Sequence, residues 1–148
     1  MKAFAFRLEQ ALRWRETQVS LQKSRVAGAA GRLAGIAARL EARRIELANA
    51  AARIVETPTG AALASYAAFK EKSRAQIRDL EAQALAAQQT LTLEMNGLTE
   101  ASRKSRLLEN LKRTAQDRWR LEFDREIAVF ADEAFLCRIQ SKKGRTGA

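Results

Sequence analysis

The side chains that could do chemistry are abundant in charge and poor in kind. The chain has no histidine, so a histidine proton shuttle, a Ser-His-Asp triad and a histidine-bearing zinc site are all out of reach. Its one cysteine, Cys137, can form neither an internal disulfide nor a CxxC pair, which suits a reducing compartment. The carboxylates Glu122, Asp124, Glu126, Asp132 and Glu133 lie among arginines at helical spacing, the pattern of surface i,i+4 pairing, and no glycine-rich phosphate loop is present. The sequence therefore predicts no catalytic residue, no cofactor and no metal, and a protein that is not an enzyme.

What remains is positive charge: 27 Lys+Arg against 17 Asp+Glu, a net +10. Residues 1–56 carry 11 basic and 5 acidic residues, residues 57–100 carry 4 and 5, and residues 101–140 carry 9 and 7. A basic N-terminal arm of this kind meets an acidic partner or a nucleic acid. Interleaved acids in the C-terminal half, and the lack of a groove-reading module or stacking platform, weigh against nucleic acid.

The elements that must position these charges are helical. Thirty alanines, seven glycines and one proline leave too few turn formers for a sheet, and alanines bury too little area for a thick core. Steps of four and three from Leu8 reach Leu12, Arg15, Val19, Gln22, Val26, Ala29, Leu33, Ile36, Leu40, Arg43, Leu47, Ala50 and Ile54, with eleven of fourteen positions apolar. Such a sustained heptad is a coiled-coil seam. The only proline follows in Glu56-Thr57-Pro58-Thr59-Gly60, which ends one helix and starts another, with Thr57 as the expected N-cap and Pro58 in the first turn.

Beyond this turn the walk continues through Tyr66, Lys70, Ser73, Ile77, Leu80, Ala84, Ala87 and Leu91. It is expected to slip near Met95 and resume, at a spacing nearer 3.7, through Leu98, Ala101, Leu108, Leu111, Ala115, Trp119, Phe123, Ile127, Phe130 and Ala134. Two long helices on a short connection run antiparallel. The expected fold is thus all-α, a long antiparallel two-helix coiled-coil hairpin with an extended C-terminal arm: helix 3–56, turn 57–60, helix 61–140 and a flexible basic tail 141–148. With Pro58 as apex, paired residue numbers sum to about 117. Phe4 then falls beside Arg113, and roughly 25 residues of the second arm, with Trp119, Phe123, Phe130 and Phe135, need a partner or a fold-back.

An alternative breaks the second helix at Asn96-Gly97 into a three-helix bundle, although one glycine costs a helix only about 1 kcal/mol. Gly28, Gly31 and Gly35 among alanines read as a close approach to Ala82, Ala84, Ala86 and Ala87 of the second arm, or as a weak point in the helix. No run approaches the roughly 18 uncharged apolar residues of a spanning helix, and Met1-Lys2-Ala3-Phe4 leads straight into charged residues. A cytoplasmic protein without a transmembrane segment is expected.

The opening Phe4-Ala5-Phe6-Arg7-Leu8-Glu9-Gln10-Ala11-Leu12-Arg13-Trp14-Arg15-Glu16 resembles the start of the flagellar FliJ family, with its F-x-F-x-L-E-x-x-L-x-x-R-E pattern. Farther on, Glu100-Ala101-Ser102-Arg103-Lys104, Leu108-Glu109-Asn110-Leu111-Lys112, Glu126 and Asp132-Glu133-Ala134 are similar to the order of motifs near that family's C-terminus. Asn110 and the glycine patch depart from the usual pattern. The resemblance implies a stalk-like component of the flagellar type III export apparatus, peripheral at the cytoplasmic face of the inner membrane. Its implied partners are the hexameric export ATPase, the cytoplasmic domain of the export gate and the export chaperones.

Tyr66 and Phe69 match a Y-x-x-F pair where the family contacts the gate, although Tyr66 equally fits a plain seam position. Ser73 and Gln76 depart from the contacts expected there. For the ATPase ring, charge and aromatic content single out Phe4, Phe6, Arg7, Arg13, Trp14, Arg15, Arg118, Trp119 and Arg120. The competing reading is a generic coiled-coil scaffold or a stalk of a virulence-type secretion system; a nucleic-acid-binding basic coiled coil comes after it.

Overall fold

A computed structural model describes the backbone of residues 3–145 and the side chains of residues 3–142. The fold is all-α: two long helices, α1 (Glu9–Glu56) and α2 (Gly60–Arg145), pack against each other as an antiparallel hairpin. No strand occurs among the described residues. The chain divides into two compact units, Thr17–Ser102 and Met1–Glu16 with Arg103–Ala148.

In the first unit, the non-exposed residues of α1 from Val19 to Ile54 include every position of the heptad walk, Gln22 and Arg43 among them. On α2, Tyr66, Lys70, Ser73, Ile77, Leu80, Ala84, Ala87 and Leu91 are likewise shielded. The expected slip near Met95 does not occur. The seam steps from Leu91 to Glu94 and then to Leu98, keeping the alternation of three and four, while Met95 is 53% exposed. Its polar occupant has a counterpart: Gln22 Nε2 donates to the Glu94 carbonyl at 2.9 Å and to Glu94 Oε2 at 2.5 Å. A buried or half-buried acid is tolerated on a seam when a donor meets it, and here the donor comes from the opposite helix.

Asn96-Gly97 lies inside α2, so the three-helix alternative is excluded and the helix is continuous. Gly97 has a packing reason to be there: a Cβ on it would stand 2.8 Å from Gln22 Nε2. The expected close approach at Gly28, Gly31 and Gly35 is not found. A Cβ on Gly31 or Gly35 would meet nothing within 4 Å, and one on Gly28 only the Arg32 side chain at 3.8 Å. The seam runs instead through their neighbour Ala29, 1% exposed, because the 3.5 repeat puts all three glycines off the interface.

The turn is capped differently from expectation. Thr57 closes α1, with its Oγ1 donating to the Arg53 carbonyl at 3.3 Å and its amide to the same oxygen at 3.2 Å. Thr59 is the N-cap of α2, its Oγ1 accepting from the Ala62 amide at 3.2 Å, so α2 opens at Gly60 with Pro58 ahead of the cap. One residue separates the proline's fixed φ from the helix, and the second threonine of Thr-Pro-Thr is the one whose hydroxyl reaches the free amides.

The second unit holds the greater departures at the chain ends. Residues 3–8 are not helical; α1 begins at Glu9, whose carboxylate suits a helix N-terminus. Phe4 lies against Trp119 rather than beside Arg113, with ring centroids 6.0 Å apart. A non-helical lead advances up to about 3.3 Å per residue against 1.5 Å in a helix, so six such residues reach farther along α2. Within this unit Leu12 is 3% exposed, and Lys112 Nζ reaches Glu9 Oε2 at 2.8 Å.

The seam here is Ser105, Leu108, Lys112, Ala115, Trp119 and Phe123, whereas the expected Leu111 is 54% exposed. Within the shielded seam, wider spacing is confined to the consecutive four-residue steps Ala115, Trp119, Phe123. At the far end, α2 runs to Arg145, so Ser141 to Arg145 are helical rather than a flexible tail. Of the expected tail, Thr146-Gly147-Ala148 lie outside the described residues. Every residue from Asp124 to Lys142 is exposed, and no described segment folds back on them.

Candidate binding surfaces

The unit formed by the chain ends gathers most of the residues singled out for a partner. Its centre is an aromatic stack: Phe4 tilts at 58° onto Trp119, and Trp119 stacks on Phe123 at 5.1 Å and 29°. The 3–8 lead makes this possible, since it carries Phe4 beyond the start of α1. Phe6 is half-buried in that lead, and its carbonyl accepts from the Glu9 amide at 3.1 Å. These aromatic faces hold the lead to α2 and are partly used up in doing so.

The cations divide by exposure. Arg7, Arg13, Arg118 and Arg120 are exposed, and Arg13 pairs loosely with Glu9 at 3.8 Å. Arg15 occupies a seam position, half-buried, with its guanidinium 4.7 Å from the centroid of the Trp14 ring, which is itself 54% exposed. Arg15 and Trp14 therefore form one amphipathic patch in which the cation is tied to the ring. An acidic surface could engage Arg7, Arg13, Arg118 and Arg120 without unpacking the hairpin, but not Arg15.

Tyr66 and Phe69 belong to the other unit. Tyr66 is on the seam with Lys70 Nζ 6.0 Å from its ring centroid, and Phe69 lines a shallow depression with Glu46, Asn49, Ala50 and Arg53. Both rings are half-buried, so they hold α2 to α1 while keeping one edge toward solvent.

Three features escaped the sequence reading: the Gln22–Glu94 contact, the Glu9–Lys112 pair and the position of Gly97. Gln22, Glu94 and Lys112 fill seam sites with polar residues, and Gly97 stands between the seam sites Glu94 and Leu98; apolar counting passes over such positions. A signal was present, since keeping the 3-4 alternation unbroken from Leu91 arrives at Glu94 and Lys112. Among the described residues no group of three or more His, Cys, Asp or Glu could hold a metal ion, and no helix is long and apolar enough to cross a membrane. Compared with family models, curated proteins and solved structures, the chain finds no match.

Proposed function

We propose that this chain is a stalk-like component of a flagellar type III protein export apparatus. In this reading it binds and activates a hexameric export ATPase and couples it to the export gate at the cytoplasmic face of the inner membrane, with a further part in recycling export chaperones. The observation that carries the reading is the exposed set Arg7, Arg13, Arg118 and Arg120 in the same unit as the Phe4–Trp119–Phe123 stack, on a two-helix hairpin. A basic, aromatic-braced surface on paired helices can favour some states of a ring over others by contacting them unequally, which is what activation by a stalk requires. Tyr66 and Phe69 are then the residues assigned to the gate.

The test is co-purification of the full chain with the export ATPase of the same organism, with ATP turnover read alongside. Wild type is expected to form a complex and raise turnover, and Arg13→Glu with Arg120→Glu to weaken binding about tenfold at unchanged helicity. Equal capture of the double variant would remove these arginines from the interface, and no capture of wild type would remove the ATPase reading. Arg15 is left intact because its seam position would confound the result.

A further inference from the structure

The seam of α2 does not stop where α1 runs out. Past Phe123 it continues through Ile127, Phe130, Ala134, Cys137 and Ser141, again in steps of four and three, on a helix in which every residue from Asp124 to Lys142 is exposed. Phe130 is 73% exposed and Ile127 45%. Such a stripe on a helix is what a coiled-coil partner covers.

We propose that it is covered by the same stripe of a second copy of this chain, running antiparallel. The argument is complementarity in size and in charge. Laying one arm on another so that paired numbers sum to 264 sets Phe130 against Ala134 of the second copy, Ile127 against its Cys137 and Phe123 against its Ser141. Each layer then holds one larger and one smaller side chain, and by the two-fold symmetry each occurs twice. A parallel pair would stack Phe130 on Phe130 and Ala134 on Ala134, alternating crowded layers with hollow ones.

The flanking positions agree. Asp124 meets Arg138 of the second copy on both sides of the dyad, and Glu126 meets Gln140. One flank is unfavourable: the two Glu133 carboxylates face each other across the dyad. Leu121, Phe135 and Ile139 lie on the other side of the helix and stay out of this contact. The stripe from Phe123 to Ser141 is under three heptads long, so the dimer is weak and reversible. The pairing is a property of the chain alone and does not depend on the export reading.

Sedimentation of the full chain from about 1 to about 100 µM tests it. A reversible monomer–dimer equilibrium is expected, absent in Phe130→Glu at unchanged helicity; a monomer throughout, or an equal dimer from Phe130→Glu, overturns the proposal. Glu133→Gln is expected to tighten the dimer severalfold, and Arg138→Asp to weaken it about tenfold, with Asp124→Arg on the same chain restoring it.

Orientation is read by mild oxidation. The two Cys137 thiols stand about ten residues, or roughly 15 Å, apart along the antiparallel pair, so wild type should not cross-link through them. Ile127→Cys should, and should lose the cross-link when Cys137→Ser is added. A Cys137–Cys137 disulfide in wild type overturns the antiparallel arrangement.

Discussion

The stretch of α2 from Tyr66 to Leu91 and the arm from Asp124 to Lys142 follow the same 3-4 rhythm, yet the first is shielded at every seam position and the second at none. Their seam side chains are of similar kind. The paired stretch fills its seam with Ser73, Ala84 and Ala87 beside Ile77, Leu80 and Leu91, and the unpaired arm has Ala134, Cys137 and Ser141 beside Ile127 and Phe130, all of them exposed. Burial here is decided by whether a facing helix exists and not by how apolar the stripe is. Small residues suffice where α1 lies opposite, because they let the backbones approach. Large ones gain nothing until a partner arrives.

The sharpest way to break that contrast is a pair of truncations. Leu12→Ala, at a site 3% exposed, should cost about 2–3 kcal/mol in urea unfolding followed by circular dichroism; Leu136→Ala, at 58% exposed, should cost less than about 0.5 kcal/mol. Equal costs would mean that the arm is buried in solution.

A smaller effect is expected at the polar layer. Gln22→Ala leaves Glu94 on the seam without its donor and should lower stability by about 1.5 kcal/mol, and Glu94→Gln in the same chain should recover part of it. If Gln22→Ala is neutral, water replaces the contact and the layer does not set the pairing.

The smallest effect depends on the face of the helix. Gly31→Ala, opening on empty space, should stabilise by about 0.5–1 kcal/mol through helix propensity alone. Gly97→Ala should show none of that gain, since its Cβ displaces the Gln22 amide from Glu94. A melting temperature raised equally by both would show that Gln22 is free to move aside.

The hairpin itself was legible because a heptad of Val, Leu and Ile from Val19 to Ile54, and a single Pro-centred break, admit few other folds. The candidate surface was legible in composition: Phe4, Arg7, Arg13, Arg118 and Trp119 were all within reach of counting charge and rings. Their arrangement was not. That Phe4 meets Trp119 depends on residues 3–8 forgoing the helix, and that Arg15 serves the seam while Arg13 faces solvent depends on which side of α1 meets α2.

By itself the sequence determined that the chain is helical, where it turns, that its helices run antiparallel and that its surface is basic. Periodicity and backbone preference are local properties, written in residues within a few turns of one another. Only the tertiary structure decided the register through Glu94 and Lys112, the outward face of Gly28, Gly31 and Gly35, and the exposure of the arm beyond Phe123. Each of these depends on what stands opposite, a residue 72 positions away in the case of Gln22 and Glu94. A polar side chain or a glycine on a seam is settled by its cross-helix neighbour and not by its own hydropathy.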